Sequence, residues 1–585
     1  MNFSVAAAGS LLRAAFVAAT AIGFAVALPA VDAAQAAAVP THGLAGSYLA
    51  GRHAERVRDY PAAIEFLSRT LEADSENLDV LRQLFLLTVA EGQMDHALAL
   101  APRVQKVAPT EPLPPMIQLL DRFRAGDHEA SLQIIAESEN YGLNQIVMPF
   151  VEAWSLAGLG RGEEALAVLA GEQAPTGLAP LYATHRGLLH EFLGDAAAAE
   201  AEYQAAIAMN ETASYAPIAA LGALYERTGR AEEARAVYTD FADSTQSHRM
   251  IEPALARLDG TDGGEIPNRA APSAAVSDLL FSVASSLSQE GNEIFAYVFG
   301  RMSLFLDAEN GLALALVAQS LQAQERHEEA IEIYRTVPLT SPMGFASRLA
   351  MADAMNAFGR VDEAISYLEE LAATYTDDYA PLAAIGNYLR AEERFAEAVE
   401  AYDRAFERIP EVAYEHWSLL YYRGIALERS GQWDRAEADF LKALEFEPEQ
   451  PFVLNYLGYS WVEQGKNLDE ARTMIETAVK QRPGDGFIVD SLGWVLYRLG
   501  QYEEAVPHLE RAVELEPADP VINDHLGDAL WQVGRRLEAQ YQWQRASELE
   551  PDEELAARIA DKLANGLTNP PEPVVDEHAA EGAVD

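Results

Sequence analysis

The stretch Leu492–Pro517 reads LGWVLYRLGQYEEAVPHLERAVELEP, and Leu526–Pro551 reads LGDALWQVGRRLEAQYQWQRASELEP. Gly493, Ala505, Ala512 and Pro517 return as Gly527, Ala539, Ala546 and Pro551, a shift of 34 residues (527 − 493). Upstream, Gly458, Ala471, Ala478 and Pro483 repeat the set with one inserted residue, and Gly424, Ala436, Ala443 and Pro448 precede them. A fixed period of this length marks a stack of supersecondary units, none of which can bury its apolar face alone. Read as a helix, Val489, Leu492, Gly493 and Leu496 share one face at 100° per residue.

One marker follows the period through the chain. An Ala early in each second helix stands at 63, 97, 130, 165, 199, 234, 296, 330, 364, 398, 436, 471, 505 and 539. A Pro twelve residues later stands at Pro109, Pro342, Pro410, Pro448, Pro483, Pro517 and Pro551 and stops that helix. Acids just before the marker, as in "GEEA", "HEEA" and "YEEA", suit a helix N-terminus. This pattern, Leu-Gly, then Ala, a large residue, Ala and Pro at fixed offsets, resembles the tetratricopeptide repeat family over about 44–554. The expected fold is all-α, an α-solenoid superhelix of about fourteen helix–turn–helix repeats of ~34 residues. The small Gly and Ala are expected where the two helices of a unit cross. The large residue four after the marker (Tyr402, Phe440, Leu509, Trp543) is expected to fill space between units.

The marker steps by 62 residues between Ala234 and Ala296, and "DGTDGGEIPNRAAPSAA" at 259–275 carries the Gly and Pro of a loop. The expected organisation is a block of about six repeats at 44–258, a linker or irregular unit at 259–275, and about eight repeats at 276–565. Residues 566–585 contain acids and prolines and no Lys or Arg, which predicts a disordered tail. At the start, Arg13, an apolar run from Ala14 to Val31 and Ala34-Gln35-Ala36 give the layout of a secretory signal peptide over 1–36, the alternative being an uncleaved N-terminal anchor. Secretion across an inner membrane to the periplasm is the expected localisation, and no later run is long enough to span a membrane.

The chain of 585 residues has a net charge of −49 and no cysteine. That surface repels phosphate backbones, so nucleic acid is a poor partner and basic segments are better ones. Without cysteine there is no disulfide, thiol nucleophile or thiolate metal site. No G-x-S-x-G, H-E-x-x-H, P-loop or C-x-x-C occurs, and "GLGRGE" at 158–163 lacks the spacing of a dinucleotide loop. His185 and His190 are five apart and do not share a helix face. The chain is therefore read as a non-enzyme, with no catalytic residues, no metal and no cofactor.

A second stripe departs from the repeat signature. Asp490, Trp494, Tyr497 and Arg498 lie about a third of a turn from the stacking face. The resemblance implies that first helices line a concave groove and that this stripe faces it. Matching positions in the last units hold Tyr421, Asn455, Tyr459, Asp524, Asp528 and Trp531, with Phe452 and Phe487 at helix starts. Aromatics and acids together suit an extended segment with apolar or aromatic side chains and a positive charge. These twelve residues form the candidate partner-binding groove of a scaffold or adaptor for proteins or peptides, acting in the cell envelope. The rival readings are a structural accessory of an envelope or exopolysaccharide export machine and a non-catalytic subunit of a glycosyltransferase-type enzyme. Packing between first helices is the structural alternative for Trp494 and Tyr497.

Overall fold

Why a 34-residue period makes helix pairs is visible at each boundary. An acid stands before the first helix of the last units and caps it. The side chain of Asp485 accepts from the Ile488 N–H, Asp519 from Ile522 and Asp552 from Leu555, each satisfying one of the free donors of a helix start. The turn between the paired helices falls on Gly500 and Gly534, with φ of 75° and 85°, a conformation that glycine adopts at no steric cost.

The computed structural model describes residues 43–138, 142–170, 177–209, 214–261, 263–568, 570 and 574. Among them are thirty α-helices and no strand. The chain is an all-α solenoid of paired helices. No described helix is long and apolar enough to cross a membrane. The signal-peptide reading of 1–36 and most of the tail reading of 566–585 fall outside the described residues.

The marker Ala residues at 398, 436, 471, 505 and 539 are fully buried. A Cβ at Gly493 would lie 2.5 Å from the Leu509 side chain, and one at Gly527 2.4 Å from the Trp543 indole. The large residue after the marker thus packs onto the glycine of its own unit, which amends the expectation that it fills space between units. Phe440 does both: it covers Gly424 and also meets Tyr456 of the next unit with ring centres 5.3 Å apart.

Successive units join through small apolar clusters. Leu454, Ala478 and Ile488 form one, and Val489, Ala512 and Ile522 the next. Each first helix is wedged between consecutive second helices, and each fully buried Leu or Ile contributes roughly 1.5–3 kcal/mol.

The helices divide into two compact units, one ending at Ala364 and one beginning at Ile365. In the first, the array winds back on itself. Helix Pro272–Gln289 packs on Asn144–Gly158, and helix Glu293–Leu306 packs on Leu78–Ala90 and Leu113–Arg124. Arg326 makes a two-pronged ion pair with Glu91 at 2.7 and 3.0 Å, with both side chains under 10% exposed. Arg301 Nε donates to the Ala90 carbonyl, and the Arg124 guanidinium lies 4.0 Å over the Phe305 ring. Helix His248–Leu258 precedes the Gly-rich stretch, and Pro272 opens the following helix. Arginines tie that stretch down: Arg227 to the Pro267 carbonyl, Arg257 to the Gly263 carbonyl, and Arg269 to Asp278 and Asp307.

Candidate functional site

The last three first-helices, Pro451–Glu463, Gly486–Arg498 and Pro520–Gln532, carry most of the second stripe. One further helix follows them, Glu553–Asn565, which takes the place of the first helix of a next unit. In the 34-residue frame Arg558 follows Asp524 and Lys562 follows Asp528. The site is built on these four helices.

Trp494 is sandwiched between two rings. It stacks on Tyr497 with centres 4.8 Å apart and 7° between planes, and on His525 at 3.9 Å and 16°. Its indole Nε1 donates to Glu463 at 3.0 Å, and Arg498 forms an ion pair with the same carboxylate. Only 9% of Trp494 and 1% of Tyr497 is exposed. The stripe is thus packed across neighbouring first helices.

The acids of the stripe are buried with partners. His525 Nδ1 lies 3.0 Å from Asp490. Burial alone would lower the imidazole pKa, but Asp490, backed by Asp524 and Asp528, overrides it and the net shift is upward. Lys562 Nζ sits between Asp524 and Asp528, 2.7 Å from an oxygen of each. Asp528 also accepts from the Trp543 indole Nε1 at 2.9 Å. Burial, then the charge of Asp524, pushes the Asp528 carboxyl up to about 6, against the opposing pull of Lys562. The cluster therefore holds three carboxylates against one ammonium and one imidazole.

Three polar atoms of the stripe, Tyr497 Oη, Arg498 Nε and Asn455 Oδ1, are buried without a hydrogen-bond partner. The Tyr497 hydroxyl is buried and makes no hydrogen bond. Burial, then the charge of Asp528, raises its pKa against the opposing pull of the Gln532 side chain.

The remaining stripe residues lie apart from this cluster. Tyr421 packs against Tyr422, Phe440 and Tyr456. Phe452 is covered by the Arg482 guanidinium at 4.8 Å, Phe487 is 45% exposed, and Asn455 is half-buried. Tyr459 feels Arg558 of the C-terminal helix, although burial dominates and raises its pKa. Trp531 is half-buried, its ring 5.2 Å from that of Trp543.

His525, Glu463 and Lys562 were not read from the sequence, and Trp543 was read as a packing residue and not as part of the site. A signal for Lys562 was available: it is one of five lysines in the chain, and the repeat frame continued past Pro551 lands on it from Asp528. Beyond the helix, Gly566 has φ of 76°, and a Cβ there would lie 2.4 Å from the Trp531 ring. Further along, the Val574 N–H donates to the Arg498 carbonyl at 2.9 Å. The C-terminal segment thus touches the ends of two first helices that carry the stripe. Among the described residues no group of three or more His, Asp or Glu side chains is arranged to hold a metal ion.

Two segments of the chain match known repeat families. Residues 493–534 match the family "TPR repeat" and residues 383–451 the family "Tetratricopeptide repeat". The curated TPR repeat-containing protein PA4667 of Pseudomonas aeruginosa is 30% identical over 160 residues, which are 27% of this chain and 26% of that protein. The match spans about a quarter of the relative's length. Among solved structures, the APC/C hetero-tetramer Cut9–Hcn1 aligns over 89% of this chain and 96% of that one, with a TM-score of 0.37 and 14% identity. Yeast Tom70 aligns over 89% and 95%, with a TM-score of 0.33 and 14% identity. With their helix pairs and 34-residue frame, the two matched segments, 383–451 and 493–534, are similar to tetratricopeptide repeats.

Proposed function

We propose that this protein is a non-catalytic scaffold that holds partner proteins in the cell envelope, with the acidic and aromatic cluster of its last units, covered by the helix Glu553–Asn565, as the contact region. The observation that carries this reading is the placement of Asp490, Asp524, Asp528, Trp494 and Trp531 on consecutive first helices. A stacked repeat needs small residues and aliphatic wedges there, not three buried acids. Even a paired buried charge adds little net stability, so three paired acids in a stack favour recognition over stability as their role. Aromatic side chains beside acids favour a cationic, partly apolar segment. The leader-like residues at 1–36 support an envelope location.

The test is site-specific cross-linking in cells. A photo-reactive residue at Phe487, which is exposed on the helix carrying Trp494, is expected to give a discrete protein adduct in the envelope fraction. The same residue at Tyr541, exposed on the second helix Arg536–Glu548, serves as the control. Identical adducts from the two positions, or recovery of the chain in the cytoplasmic fraction, would contradict the reading.

A further inference from the structure

The buried acidic–aromatic cluster already contains an occupant, and its chemistry shows what fits there. Lys562 Nζ is held by Asp524 at 2.8 and 2.7 Å and by Asp528 at 2.8 Å, and it lies 6.0 Å from the centre of the Trp543 ring. Its side chain is 13% exposed. Carboxylates on two successive turns of one helix, with an indole behind them, form a clamp for a primary ammonium.

Two further facts separate this clamp from an ordinary structural ion pair. First, the helix that delivers the lysine is weakly anchored. Glu553–Asn565 buries only Leu555 and Ile559, whereas helix Pro520–Gln532 buries eight residues. Elements with few buried apolar contacts are the first to open. Second, the clamp is not saturated. The three carboxylates of Asp490, Asp524 and Asp528 face one ammonium, Lys562, and one imidazole, His525.

Building on the scaffold reading above, we infer that the clamp of Asp524, Asp528 and Trp543 binds a lysine presented on a helix of a partner protein, and that the chain's own C-terminal helix, through Lys562, is its resting occupant. The partner's helix competes with Glu553–Asn565 for one position. The contacts of Gly566 with Trp531 and of Val574 with Arg498 raise the local concentration of the internal occupant, as a tethered ligand does. Binding in trans is therefore weak until the C-terminal segment is displaced.

The experiment uses the chain's own segment as probe. A fluorescent peptide of residues 551–574 is titrated into the full chain and into a chain ending at Glu550, with anisotropy as readout. The shortened chain is expected to bind at least about tenfold more tightly than the full chain, and Lys562→Gln in the peptide to cost about tenfold. Equal binding of both peptides by a shortened chain that keeps its helical circular dichroism overturns the inference. If the shortened chain does not fold, the full chain carrying Lys562→Gln decides. It is expected to take up the unaltered peptide at least about fivefold more tightly than the unaltered chain, and no gain overturns the inference. Cross-links from Phe487 that persist while the peptide fails leave the scaffold reading intact. Peptide binding without any cellular cross-link counts against the scaffold reading alone.

Discussion

The two units bury charge in different ways. In the unit ending at Ala364, Arg326 meets Glu91 in a two-pronged pair where the winding array returns on itself, and pairs as well with Glu329 three residues on. Arg326 also lies over the Tyr60 ring at 5.1 Å. In the unit beginning at Ile365, three carboxylates share one lysine and one histidine, and the lysine arrives on a terminal helix. The first arrangement ties together helices that are far apart in the sequence of one unit. The second is the cluster on which the proposed exchange with a partner helix rests.

Substitutions can break that contrast. The largest effect is expected for Arg326→Met, which leaves Glu91 buried and unpaired and lowers the stability of the first unit by about 3–5 kcal/mol. Urea unfolding should show an early transition, and adding Glu91→Leu should recover much of the loss. Lys562→Met is expected to cost less, about 2 kcal/mol, because Asp528 can take up a proton when the ammonium is gone. The loss should therefore be larger at pH 8 than at pH 5.5 in the same unfolding measurement. Gly527→Ala should cost about 1–2 kcal/mol by pressing a methyl group into Trp543.

A smaller effect is the pH slope of the second unit. The imidazole of His525 has a raised pKa in the fold. Its contribution is complete below the ordinary histidine value of about 6.5 and is lost as pH rises through the folded value. Asp528 is also raised, to about 6, so the folded form binds more protons than the unfolded one between about pH 4 and 6 and stability again falls as pH rises. Melting temperature should decline from pH 5 to 8, and His525→Gln should flatten the part of the decline above pH 6.5. The smallest effect belongs to Arg394→Ala. It removes an exposed pair with Glu397 on one helix and should change stability by less than about 0.5 kcal/mol.

Much of this fold was legible in the sequence because it is built from local rules. The Gly493/Ala505 and Gly527/Ala539 frame encodes where two helices cross, and the structure places Leu509 and Trp543 on those glycines. The Arg326–Glu91 pair was not legible, since its partners are 235 residues apart and meet only through the winding of the array. The candidate site was half legible. The angular offset of Trp494 and Tyr497 from the stacking face is a helical property, and so is the row of Asp490, Asp524 and Asp528. What fills that row depends on a helix lying beyond the last full repeat, where the Gly and Ala markers stop. Lys562 keeps the period, but nothing in its surroundings repeats the signature.

The account's central claim is that the acid-rich cluster is a recognition surface held by its own C-terminal helix. The most direct measurement compares cross-linking yield from Phe487 in three full-length chains in the envelope fraction: unaltered, Lys562→Met, and Asp524→Asn with Asp528→Asn. The expected order is highest yield of the partner adduct for Lys562→Met, intermediate for the unaltered chain and lowest for the double asparagine variant. Equal yields from all three, with circular dichroism showing each folded, would contradict it.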